Sequence, residues 1–181
     1  PWGDAHPNRD RPLIIGCDFN FNPAPCVWMV GQVGPALYSE DGRYWGDYIH
    51  WFHEVSDNQI STPQMTLKLM IQFPDFFYRV FGDVSGGVGT TSNAGETDYN
   101  QMSNVLAENG ALYSIDFFMN EDRQNPKVKS RVENMNGMFC NALGERRQTY
   151  NPDTCPYFDA DVKMVGWKET TQAGRGKLDQ A

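Results

Sequence analysis

Two aspartates stand where an apolar run stops. Asp18 follows Leu13, Ile14, Ile15, Gly16 and Cys17 and opens the stretch DFNFNP, while Asp83 follows Phe76–Phe81 and Gly82 inside FGDVSGG. Apolar runs this short, closed by turn residues, read as buried strands. Each carboxylate is therefore expected at a strand exit, where ligands of open α/β sheets gather. Two such carboxylates held side by side would repel, raise one another's proton affinity and invite a divalent cation. Oxygen donors without thiolate or imidazole favour Mg2+ or Mn2+. The plainer alternative stays open, since an aspartate after a strand also forms or caps a turn.

The elements that must position these groups follow a mixed order. Strands are expected at Leu13–Cys17, Cys26–Val33 and Tyr48–Val55, with hairpin signals at Gly34-Pro35 and Asp41-Gly42 between the last two. Ser61-Thr62-Pro63 opens a helix with Met65, Leu69 and Met70 on one side. A strand at Phe76–Phe81 leads into a glycine-rich stretch, Ser85–Glu96, expected as a loop. Asp98–Asn109 is a helix with Met102, Val105 and Leu106 inward, closed by Gly110. Ala111–Met119 is a strand, and Pro126–Leu143 a longer helix with Val128, Val132, Met135, Met138, Phe139 and Ala142 at helical spacing. Thr149–Cys155 is extended, Pro156–Trp167 starts another helix, and the polar tail has no hydrophobic register. Strands and helices in this order define an α/β class.

Composition excludes several other classes. The 181 residues are 40% hydrophobic and 13% aromatic, which rules out a disordered or collagen-like chain. No apolar run approaches the roughly 20 residues that a membrane helix requires. The net charge of −8 is uneven: the first 118 residues carry 5 basic and 14 acidic side chains, the remainder 10 and 9. An acidic chain is not the usual nucleic-acid binder, unless a basic strip or a metal ion offsets the charge. Cys17, Cys26, Cys140 and Cys155 contain no CxxC pair and are expected as buried free thiols. His50 and His53 beside Glu54 lack further ligands at zinc-site spacing.

Four segments together carry a resemblance: IIGCDFNFNPAPCVWMVGQ, the GDVSGG turn, the helix opening TDYNQM, and the late TCPYFDADVKMVGWK. In this order and spacing, over residues 13–168, the chain resembles the C-terminal nuclease domain of the large terminase subunit of tailed bacteriophages. The resemblance implies an RNase H-like fold, a mixed sheet flanked by helices. It also implies a metal-dependent endonuclease that cuts concatemeric double-stranded viral DNA at packaging, by two-metal-ion hydrolysis with Mg2+ or Mn2+. Asp18 and Asp83 would be catalytic metal ligands. The family's third carboxylate lies in a segment beyond the late tryptophan that is not found before Ala181, and Asp179 is the residue here that would stand in.

By the same resemblance, residues 1–12 read as a linker from an upstream ATPase domain and residues 169–181 as a polar tail leading onward. No GxxxxGK[ST] phosphate loop occurs. The implied partners are viral DNA, the portal protein, the small terminase subunit and that ATPase, with no membrane, in the host-cell cytoplasm. Lys127, Lys129 and Arg131 are the DNA-contact candidates, against a solvated helix face. Glu54, ending a strand, is a candidate supporting acid; His50, Asp57, Asp98 and Asp116 read as surface, cap or turn residues. Two other functions compete: a non-catalytic module docking DNA or the portal, and an actin/Hsp70-like ATPase lobe. The latter wants glycine-rich phosphate turns where DFNFNPAP is bulky.

Overall fold

The computed structural model describes residues 7–19, 25–34, 37–38, 44–46, 48–82, 95–117, 125–164, 166–168 and 177–179. A six-stranded sheet organises them. Its strands are β1 (Leu13–Asp18), β2 (Cys26–Val33), β5 (Ile49–Asp57), β6 (Phe77–Gly82), β7 (Leu112–Phe117) and β8 (Gln148–Tyr150), in the order β7-β6-β1-β2-β5-β8. β2 runs antiparallel to both β1 and β5, while β6 and β7 run parallel to β1, and β8 runs parallel to β5. Two small hairpins stand apart from the sheet: β3 (Leu37–Tyr38) with β4 (Tyr44–Gly46), and β9 (Gly166–Lys168) with β10 (Lys177–Asp179). The first fits the turn signal at Asp41-Gly42. In the second, β10 falls within the polar tail, with Leu178 opposite Trp167.

Parallel neighbours need crossovers, and helices supply them. Helix α1 (Thr62–Gln72) joins β5 to β6, and α2 (Asp98–Glu108) lies between β6 and β7. Ser61 opens α1, its backbone N–H donating to Gln64 Oε1 at 3.2 Å, with Pro63 in the first turn where a missing N–H costs nothing. Met65 and Leu69 from α1, and Met102 and Leu106 from α2, are i, i+4 pairs turned onto one sheet face. There they bury Leu13, Ile15, Trp28, Val30, Val55, Tyr78 and Val80. Truncating one of these fully buried side chains costs about 2–5 kcal/mol.

On the opposite face, the described residues place two helices at one end. Helix α4 (Pro156–Met164) contacts β5, and α3 (Val128–Phe139) contacts β8. Phe139, Tyr150 and Phe158 interlock there, with ring centroids 5.1–6.1 Å apart. No residue of α3 is fully buried, and Val128 and Met135 are exposed. The inward stripe expected for this helix is therefore only partly covered, and the helix ends at Phe139 rather than Leu143. Trp51 lies over Gly16 and Gly31. A Cβ at Gly31 would come within 2.7 Å of Trp51 Cε3 and of the His50 carbonyl oxygen, beside the bulge that follows Val30.

The residues before β1 are anchored. Gln32, fully buried, accepts from the Asn8 N–H at 2.8 Å and donates to the carbonyls of Asn8 and Arg11 at 2.7 and 3.1 Å. Arg11 donates in turn to the Val33 carbonyl at 3.0 Å. A buried amide whose donor and acceptor are both engaged fixes this segment across the end of β2.

Candidate functional site

Strand β1 alternates as its pattern demands. Leu13, Ile15 and Cys17 turn to the helix-covered core, and Ile14, Gly16 and Asp18 to the other face. Asp18 is the last residue of the strand and is exposed at its carboxyl end. Beyond it Phe19 folds back on the core, edge-on to Trp28 at 5.8 Å and to Tyr99 at 5.1 Å. Strand β6 lies beside β1 in parallel register, Gly16 opposite Phe81 and Cys17 opposite Gly82. The two strands thus end together, about 4.8 Å apart. Asp83 follows Gly82 in sequence and lies outside the described residues, as does most of the glycine-rich stretch after it.

The helix opening TDYNQM braces this edge residue by residue. Thr97 caps α2, accepting from the Asn100 N–H at 3.3 Å. Asp98, buried, accepts from the Thr62 hydroxyl at 2.8 Å, which ties the starts of α1 and α2 together. Tyr99 sends its hydroxyl against Gly82, where a Cβ would fall on it. Only glycine leaves room for that approach.

Thiols neighbour Asp18 without competing for a metal. Cys17 faces the core, and burial first, then Cys26 and the Asp18 charge, push its thiol well above the usual range. Cys26 is buried and donates to the Asp18 carbonyl at 3.4 Å. The Cys17 thiol is held in its protonated form on the core side, so Asp18 offers a carboxylate in a hard-donor setting that suits Mg2+ or Mn2+. Among the described residues no group of three or more His, Cys, Asp or Glu is gathered as a metal site.

The remaining candidates are dispersed. Asp179 ends β10 opposite Gly166, its side chain outside the described set. Lys127 precedes α3 as its cap, and Lys129 pairs with Glu133 at 3.6 Å. Arg131 is exposed one turn beyond Lys127. Helix α3 packs against β8, three strands from β1 in the sheet order. Cys140 is exposed, unlike the other three cysteines, because it ends a helix that is itself only half covered.

Glu54 has a different task from the one its position suggested. It is buried on β5, and its two oxygens accept from the N–H groups of Tyr157 and Phe158 at 3.0 and 3.1 Å. A carboxylate there satisfies orphan donors and the positive end of α4. Glu54 caps a helix rather than supporting Asp18. Cys155 next to this turn has its thiol pushed up to about 11, chiefly by burial. Asp57 is held by Lys68 at 2.8 Å and His50 meets Thr149 at 2.8 Å, as surface and packing contacts.

What the sequence did not single out is Arg79. It lies on the Asp18 face of β6, its guanidinium 3.5 Å from Asp116 on β7 and 5.1 Å from the centre of the Phe81 ring.

No protein-family model matches this chain, and no curated protein does. Solved structures do. The architecture, a mixed six-stranded sheet flanked by four helices, is the RNase H-like α/β fold of terminase nuclease domains. The chain is similar to the large terminase nuclease domain of phage P22, with a TM-score of 0.58 and 14% identity over 98% of this chain and 77% of that one. It is also similar to the large terminase nuclease of the thermophilic phage G20c with bound magnesium, at a TM-score of 0.48 and 15% identity over 94% and 72%. The resemblance read in the four sequence segments is thus present as a shared fold.

Proposed function

We propose that this chain is the nuclease module of a viral DNA-packaging terminase, a divalent-metal-dependent endonuclease acting on double-stranded DNA. The observation that supports it is the exposed carboxylate of Asp18 at the carboxyl end of β1, beside the end of β6, on a fold shared with the P22 nuclease domain. Asp18 and Asp83 would hold Mg2+ or Mn2+, with Asp179 or a residue elsewhere as third ligand. When bound, a pair of such ions supplies Lewis-acid activation of water and charge neutralisation at the scissile phosphate and leaving 3′-oxygen.

The chain's own part is placement. Phe19, Trp28 and Tyr99 make a rigid apolar floor beneath the strand ends, so Asp18 is positioned by a strand and not by a loop. On this reading the substrate is concatemeric viral DNA. The partners are the portal protein, the small terminase subunit and an upstream ATPase domain, within the host cytoplasm. Among the described residues no helix is long and apolar enough to cross a membrane.

The deciding experiment incubates the purified chain with supercoiled plasmid and Mn2+, alongside Asp18→Ala, Asp83→Ala and EDTA controls. Nicking that requires the metal and both aspartates is the expected result. Nicking that survives both substitutions removes these residues from the mechanism. No nicking by the unaltered chain favours a docking role, which adding downstream residues then tests.

A further inference from the structure

Strands β1, β6 and β7 contain a single basic residue, Arg79. Paired residues share a face, so the register Ile14–Arg79–Ser114, then Gly16–Phe81–Asp116, puts Arg79 on the face that carries Asp18. Its own row is four residues short of Asp18. Both of its contacts lie one row nearer: the Phe81 ring and the Asp116 carboxylate each draw the guanidinium towards the carboxyl ends of the strands. The charged head therefore rests in the Gly16 row, about 7 Å from Asp18 along the strand direction and about 5 Å to the side, over β6. That is too far to touch the phosphate held at Asp18 and about one phosphate spacing away along a nucleic-acid backbone.

As a stability device the ion pair achieves little. Both side chains are 50% exposed, and ion pairs at such positions contribute about 0–1 kcal/mol. As a binding device it is well made. A guanidinium forks onto carboxylate and phosphate alike, and the aromatic ring beneath limits the conformations it must give up. The Asp116 carboxylate occupies the place that an oxyanion of the substrate would take.

We propose that Arg79 grips the DNA backbone phosphate adjacent to the one at Asp18, exchanging the Asp116 carboxylate for it when DNA binds. This rests on the nuclease reading and adds to it a positioning residue and a strand path, along β6 from Asp18 towards Arg79.

The test is equilibrium binding of a short duplex of arbitrary sequence by fluorescence anisotropy, with Ca2+ in place of Mg2+, over a series of salt concentrations. Arg79→Ala is expected to weaken binding about tenfold and to lower the slope of log K against log salt by about 0.9, one phosphate contact. Arg79→Lys should keep that slope, since the charge is kept, and Asp116→Asn should tighten binding by releasing the guanidinium. Arg79→Ala with unchanged affinity and slope, in protein of unaltered melting temperature, overturns the proposal and leaves the nuclease reading standing. Weakening by Arg79→Lys as great as by Arg79→Ala, with the slope unchanged in both, also overturns it, because the loss is then one of packing. If the unaltered chain binds no duplex at any salt, both fall together.

Discussion

The hydroxyl of Tyr99 rests against the α-carbon of Gly82, so that a residue of α2 packs on the last residue of β6. Strand β6 ends level with β1, and the Asp18 carboxylate is set by that edge. The glycine that ends β6 is thus a matter of space: Tyr99 occupies what any side chain would need.

Gly82→Ala should therefore destabilise the fold by about 1–3 kcal/mol, the usual range for overpacking. Tyr99→Phe removes the clashing oxygen and should restore part of the loss in the double variant. Urea unfolding of the two single variants and the double gives the coupling energy directly. A coupling of zero would mean that the two residues do not oppose one another.

Glu54→Gln should cost about 1–2 kcal/mol through the weakened cap on α4, and Glu54→Ala more, since two partly buried N–H groups then lose their acceptor. Metal dependence of plasmid nicking should survive Glu54→Gln. A lost metal response in a folded Glu54→Gln protein would return this residue to the site.

Stability should fall as pH drops below about 6.5. Burial holds His50 and His53 below the ordinary histidine value of 6.5, the effect on His53 being partly offset by Gln72 and Glu54. Between the lowered folded-state values and 6.5 the unfolded chain binds more protons, so stability rises with pH across that window and levels off above it. Urea midpoints from pH 5 to 8 measure this, and His50→Gln with His53→Gln should flatten the curve.

Mn2+ should raise the melting temperature of the unaltered chain, because a ligand bound only by the folded state stabilises it. Asp18→Asn should abolish that increment, because the amide that replaces the exposed carboxylate is a poor ligand for a divalent cation. Differential scanning calorimetry with and without EDTA measures the increment in each protein.

Local signals carried most of the framework. β1 and β2 were legible as apolar runs, and α1 and α2 from their caps and i, i+4 methionine–leucine pairs. The strand-end position of Asp18 was legible with them. The role of Glu54 was not, since a β5 carboxylate meets α4 only after a hundred residues of intervening chain. The Tyr99–Gly82 contact and the Arg79–Asp116 pair are likewise products of strand order, which periodicity does not encode. For α3 the apolar spacing gave the helix but not its burial, because spacing says which side is apolar and not what covers it. The strands of the β9–β10 hairpin are too short for a sequence reading to find an alternation of apolar and polar residues.

The parallel pairing of β1 with β6 also governs when the site comes into being. Cys17 and Gly82 are neighbours across more than sixty residues, and they meet only once β2, β5 and α1 have been laid down between them. Contacts of such long sequence separation form late, because the entropy of closing the loop is lost before any contact repays it. A nascent or partly folded chain can hold Asp18 on its local strand with no second strand end beside it. Any chemistry that needs both strand ends is therefore withheld until β6 has docked on β1.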